Sequence, residues 1–180
     1  VHDKGVLGYA LRTENRDRIA QFRRDGFTFN KLKPYTRWDD VFSQAWDLWD
    51  TYVDKASPLS VSRVAIRYIN HLTIPFPYNF AEYLTDPPTL SKGTPSQMTG
   101  YFKRSSVHDP SSGISANVIQ ALEQSPDANT VTFLLDIDVY RVVNCEPRDP
   151  ALGGAFAQLH DMKNKIFFGA ITEKTAEMYQ

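Results

Sequence analysis

Only one cysteine, Cys145, occurs in these 180 residues, so no disulfide can form within them and a cysteine-stapled framework is excluded. A lone thiol fits a reducing compartment, which makes the cytoplasm the expected location. No clustered Cys and His carry zinc-ligand spacing. Glycine is sparse, at nine residues, and forms no Walker A loop, no dinucleotide fingerprint and no Gly-x-Ser-x-Gly elbow. Nucleotide binding by those routes and serine-esterase chemistry therefore have no support, and no cofactor is expected. Charge of one sign is also missing. Twenty basic and 21 acidic side chains leave a formal net charge of −1, so no overall field draws the chain to nucleic acid or an anionic membrane. No apolar run approaches the roughly 20 residues that span a bilayer, and no basic-then-apolar leader is present. The chain starts at Val1 without Met, which reads as a truncated N-terminus.

What is present is ordinary globular material. Hydrophobic residues make up 42% and charged residues 23%, which suits one domain over residues 1–180 with a sizeable core. The first third reads as a strand meander: Val6 to Arg12, then Arg18 to Arg24 and Phe27 to Leu32 around Asp25-Gly26. Asp-Gly between strand-like runs predicts a hairpin whose two turn residues take positive φ. From Thr36 to about Lys55, Trp38, Phe42, Ala45, Trp49 and Tyr52 recur at helical spacing, with Thr36 as the expected cap and Pro58 as the stop. Arg63 to Ile74 predicts a long strand. A proline-rich loop follows, with a helical turn near Asn79–Leu84, and then an antiparallel pair around Asp109-Pro110-Ser111-Ser112-Gly113.

Thr130 to Val143 is the strongest strand signal. Asp149-Pro150 then opens a second helix with Leu152, Phe156, Leu159, Met162 and Ile166 as its stripe and Lys163 and Lys165 near its C-terminus. Gly153-Gly154 in its first turn suggests a close backbone approach, Gly169 an end, and Thr172 the cap of a last short helix. The order strand-strand-strand-helix, strand, strand-strand-strand-helix predicts an α+β fold. The expected form is one mostly antiparallel sheet of about six to seven strands with two main helices on one face, suggestive of a duplicated unit.

Four segments carry a resemblance: Asp25 to Leu32, Val64 to Asn70, Leu135 to Val139 and Met162 to Phe168. In them the chain resembles a sporadically distributed family of uncharacterised bacterial proteins. The resemblance implies a bacterial, cytoplasmic protein of unassigned function, implies an extra N-terminal strand ahead of Val1, and carries over no catalytic residue.

Chemistry concentrates in two strands. Side chains alternate between faces, so Arg63, Arg67 and His71 share one face of their strand, and Asp136 and Asp138 share one face of theirs. Two carboxylates about 7 Å apart are one means of holding a divalent cation. With two arginines available to neutralise them, a cross-strand ion-pair lattice is the expected reading. The arginines alone could instead clamp a phosphate or carboxylate, and His71 could act as a base, though a hydrogen-bonded strand-end histidine is the simpler assignment. In the first hairpin, spanning 16–37, Arg23, Arg24 and Lys31 alternate with Phe27 and Phe29, a combination that can bind single-stranded nucleic acid by stacking; a solvated basic face is the expected outcome. Cys145 lacks an activating neighbour apart from Arg148. The leading expectation is a non-enzymatic binding or regulatory module that forms a homo-oligomer or meets a protein partner. A metal-dependent enzyme using Asp136 and Asp138 and a nucleic-acid-binding hairpin stand as alternatives.

Overall fold

A computed structural model describes residues 5–77, 79–95 and 98–178. The chain divides into two compact units, Val1–Ser60 and Val61–Gln180, where the sequence suggests one domain. The reason is strand pairing: among the described residues, the first three strands pair only with one another.

In the first unit β1 (Gly8–Arg12), β2 (Arg18–Arg23) and β3 (Gly26–Lys31) form an antiparallel meander, followed by α1 (Trp38–Ala56). The hairpin between β2 and β3 forms where expected, but its turn is Arg24-Asp25, because Arg23 stands opposite Gly26. None of these turn residues takes positive φ. Instead the Asp25 carboxylate folds back to accept two hydrogen bonds from the Arg23 guanidinium, at 2.8 and 3.0 Å. Helix α1 begins one residue beyond the expected Thr36 cap, at an extended Arg37 with no side-chain cap; Asp39 and Asp40 supply the favourable charge in the first turn. Its aromatic stripe forms a ladder of rings. Trp38 stacks on Phe42 at 5.1 Å, Phe42 meets Trp46 at 5.4 Å, and Trp49 stacks on Tyr52 at 5.5 Å. Phe27 of β3 lies 6.0 Å from Trp49 and 5.8 Å from Tyr52, and the buried Tyr52 hydroxyl donates to the Arg23 carbonyl at 3.0 Å. The helix ends at a left-handed Ser57 whose N–H reaches Val53, and Pro58 prevents continuation.

The second unit contains β4 (Val61–Pro75), β5 (Phe102–Asp109), β6 (Ile114–Glu123), β7 (Thr130–Cys145), α2 (Ala151–Ala170) and α3 (Glu173–Glu177). The strands lie in the order β4-β7-β6-β5, all antiparallel. The α+β class, seven strands and two main helices thus match the expectation. The single sheet does not: it is two sheets, of three and four strands, because β4 turns to β7 rather than to the first meander. Each main helix packs within its own unit, α1 on β3 and α2 on β4 and β7.

The second unit's core follows the period-two pattern of β7. Phe133, Leu135, Ile137 and Val139 are wholly buried, beside Val64, Ile66, Leu72 and Ile74 of β4, with Leu152, Ala155 and Leu159 of α2. Asp149 performs the expected capping, its carboxylate accepting from the Ala151 N–H at 2.8 Å. Gly153 and Gly154 face open space rather than a close backbone, and the helix runs one residue past Gly169. Among its described residues, the 76–101 loop carries one 3-10 turn, Phe80–Glu82, capped by Asn79. It is tied to the C-terminus: Thr172 Oγ1 donates to the Glu82 carbonyl and Thr175 Oγ1 to the Tyr83 carbonyl, both at 2.6 Å. Thr172 also caps α3 as expected.

One residue on α2 departs from the expected stripe. Lys163, expected near the helix C-terminus, stands before the last turn and is buried against β4, with Nζ 4.0 Å from the Tyr68 ring centre and 2.5 Å from Asn164 Oδ1. Burial pushes its pKa below 10.5. Between that lowered value and 10.5 the unfolded chain holds a proton that the folded chain has released, so this group makes stability rise with pH across the window. Urea midpoints taken at pH 7 and near pH 10 should therefore show the native protein gaining on Lys163→Met as pH rises. A constant difference between the two proteins would contradict that burial.

Candidate functional site: the sheet face turned from α2

The face of the second sheet opposite α2 gathers the charged residues of both strands singled out from the sequence. Strand register sets them in rows across β4, β7, β6 and β5. One row is Arg67, Asp138, Asn117 and Ser106; the next is Ile69, Asp136, Ile119 and Arg104; a third is His71, Leu134, Ala121 and Phe102. Each arginine leans along its strand past its direct partner. Arg67 stands opposite Asp138 yet bonds Asp136 in a fork, Nε to Oδ1 at 2.9 Å and Nη2 to Oδ2 at 2.6 Å. Arg63 crosses the Tyr140 ring, 4.5 Å from its centre, and sets Nη2 3.2 and 3.3 Å from the two oxygens of Asp138.

The two pairs differ in environment. The Asp136 side chain is only 7% exposed, between the directly opposite Ile69 and Ile119, so its charge depends on Arg67. The same bond raises the Arg67 pKa above its ordinary value. Asp138 is 25% exposed and also accepts from Asn117 Nδ2 at 3.4 Å. His71 does not join either pair. Its Nε2 reaches across β7 to the Glu123 carboxylate at 3.4 Å, an ion pair only when the imidazole is protonated.

This arrangement opposes a cation site at Asp136 and Asp138, since the oxygens of both carboxylates are already held by guanidinium groups that a metal would have to displace. Among the described residues, no group of three or more His, Cys, Asp or Glu is placed to hold a metal ion. The thiol of Cys145 is pushed up in pKa, by burial and then by Asp149, the reverse of what a nucleophile needs.

The candidate nucleic-acid residues of the first hairpin separate instead of converging. Phe27 and Phe29 point to one face of their sheet and Arg23 to the other. Phe27 is engaged by Phe22, Trp49 and Tyr52. Arg23 is bound to Asp25, and Lys31, with its side chain 4% exposed, is bound to Asp17 at 2.7 Å. Arg24 is exposed in the turn and makes no ion pair among the described residues.

Asn117, Glu123 and Ile119 belong to this face and escaped the sequence reading. Their signal is the alternation Ser115, Asn117, Ile119 along β6, which becomes meaningful only once β6 is known to lie beside β7. No helix among the described residues is long and apolar enough to cross a membrane. Comparison of the chain with family models, with curated proteins and with solved structures returns no match.

Proposed function

We propose that the protein is a non-catalytic binding module that self-associates through the sheet face turned from α2. The observation that carries this reading is the composition of the face. Its three arginines, Arg63, Arg67 and Arg104, are balanced by Asp136, Asp138 and Glu123, with two of the arginines paired to the two aspartates, while Ile69, Phe102 and Val142 stand 53, 70 and 74% exposed among them. A face of one sign would repel its own copy; this one is neutral and amphipathic, as a two-fold contact requires. Four strands about 4.8 Å apart and about ten residues long offer on the order of 500 Å2 in projection. That suits a small, weak homodimer better than an obligate one, which buries several times as much.

Size-exclusion chromatography with light scattering, run over a rising series of concentrations, tests the reading. The expected result is a mass that climbs from 20.5 kDa towards twice that value. A constant monomer mass at the highest concentration overturns it.

A further inference from the structure

A concavity lies on the α2 side of the same unit, and unlike those of the paired face its charges are not paired among the described residues. It is a shallow groove of about 570 Å3 between the β5–β6 turn, the C-terminal part of β7 and one side of α2. The size falls within the roughly 300–1,000 Å3 common for small-molecule sites. Arg141 of β7 forms its back. One guanidinium nitrogen donates to Gln158 Oε1 at 2.6 Å, while Nε is shut off from solvent with no hydrogen-bond partner. A buried N–H without an acceptor is unfavourable, but Nε is closed to solvent, so Arg141 meets the groove through the rest of the guanidinium that Gln158 orients. Lys165, two helical turns beyond Gln158, adds a second cation to the lining and makes no ion pair among the described residues.

Ile114 and Met162 add apolar lining, and the remaining residues accept hydrogen bonds. Ser111 and Ser112 donate their hydroxyls to Asp109, at 2.7 and 2.6 Å; Ser112 Oγ also accepts from the Ile114 N–H at 3.3 Å, and both oxygens keep a lone pair for a ligand. Those bonds hold the Asp109 carboxyl down to about 2, so the turn stays fixed at neutral pH. Asp161 lies on the α2 wall between Gln158 and Lys165. Two cations therefore sit beside acceptors that suit hydroxyl or ammonium groups.

We infer that this groove binds a small hydroxylated or aminated oxyanion, its phosphate or carboxylate on Arg141 and Lys165 and its donor groups on Asp161 and the serine oxygens. The inference is independent of self-association, since the groove lies on the other side of the sheet from the proposed dimer face. Three probes separate the contributions in isothermal titration of the full chain: inorganic phosphate, succinate and glucose 6-phosphate. The expected result is saturable binding near millimolar strength, with glucose 6-phosphate tighter than inorganic phosphate if the anion is a phosphate, or succinate the tightest if it is a carboxylate. Arg141→Gln and the exposed Lys165→Gln should each weaken binding about tenfold. Asp161→Asn should weaken glucose 6-phosphate and leave inorganic phosphate unchanged. Absence of saturable binding by all three probes up to about 20 mM overturns the inference. So does binding that survives Lys165→Gln unchanged, a substitution too exposed to disturb the fold.

Discussion

Phe133→Ala should lower the unfolding free energy of the second unit by about 3–5 kcal/mol. Phe133 has no exposed surface. It sits on β7, which is hydrogen-bonded on both sides, directly between Leu72 of β4 and Leu122 of β6. The Tyr101 ring stacks near it at 6.5 Å. Removing the ring leaves a cavity that three neighbouring strands cannot close without breaking their ladders, so both the transfer loss and the cavity cost apply. Phe133→Leu, which keeps most of the volume, should cost about 1–1.5 kcal/mol. Urea unfolding followed by circular dichroism measures both; a loss below about 1 kcal/mol for the alanine variant would mean that the core is not close-packed there.

Arg67→Met should cost about 1–3 kcal/mol, because it leaves the Asp136 carboxylate nearly buried between two isoleucines with its fork removed. The Arg67 side chain is itself more than half exposed, so solvent screening places the loss towards the lower end. Adding Asp136→Leu to the same chain should return stability close to the parent, since leucine fits beside Ile69 and Ile119 and the stranded charge is gone. With Asp136→Leu measured as the second single variant, the double-mutant cycle then gives a non-additive term opposite in sign to the Arg67→Met loss. If the double variant is as unstable as Arg67→Met alone, the cost lies in the arginine's packing over the strand and not in the ion pair.

Much of this fold is legible from local chemistry. Alternation in Val131 to Val139 marks the buried strand, Asp149 and Thr172 cap their helices, and the aromatic spacing from Trp38 to Tyr52 places α1. Pairing over long separations is not legible in that way. That β4 joins β7 across 55 or more residues, and so splits one expected sheet into two, depends on which partner buries Val64, Ile66, Leu72 and Ile74 best. The charged face shows the same boundary. Period two places Arg63 and Arg67 together, and Asp136 and Asp138 together, but the lean that joins Arg67 to Asp136 instead of its direct partner Asp138 is a property of the twisted sheet. The burial of Lys163 is not legible either, because helical spacing tells which residues share a side without fixing where the stripe ends. The buried line runs through Leu152, Ala155 and Leu159 and takes the lysine in at its foot, where the Tyr68 ring receives the ammonium.

Sedimentation equilibrium on the parent chain and on Ile69→Asp tests the central claim most directly. Ile69 is half exposed on the paired face and adjoins Asp136 across the strand, so the added carboxylate places unpaired charge in the middle of the proposed contact without entering the core. The account predicts a concentration-dependent monomer–dimer equilibrium for the parent and a shift of at least about tenfold towards monomer for the variant. A parent chain that stays monomeric at every concentration, or a dimer that Ile69→Asp leaves intact, contradicts it.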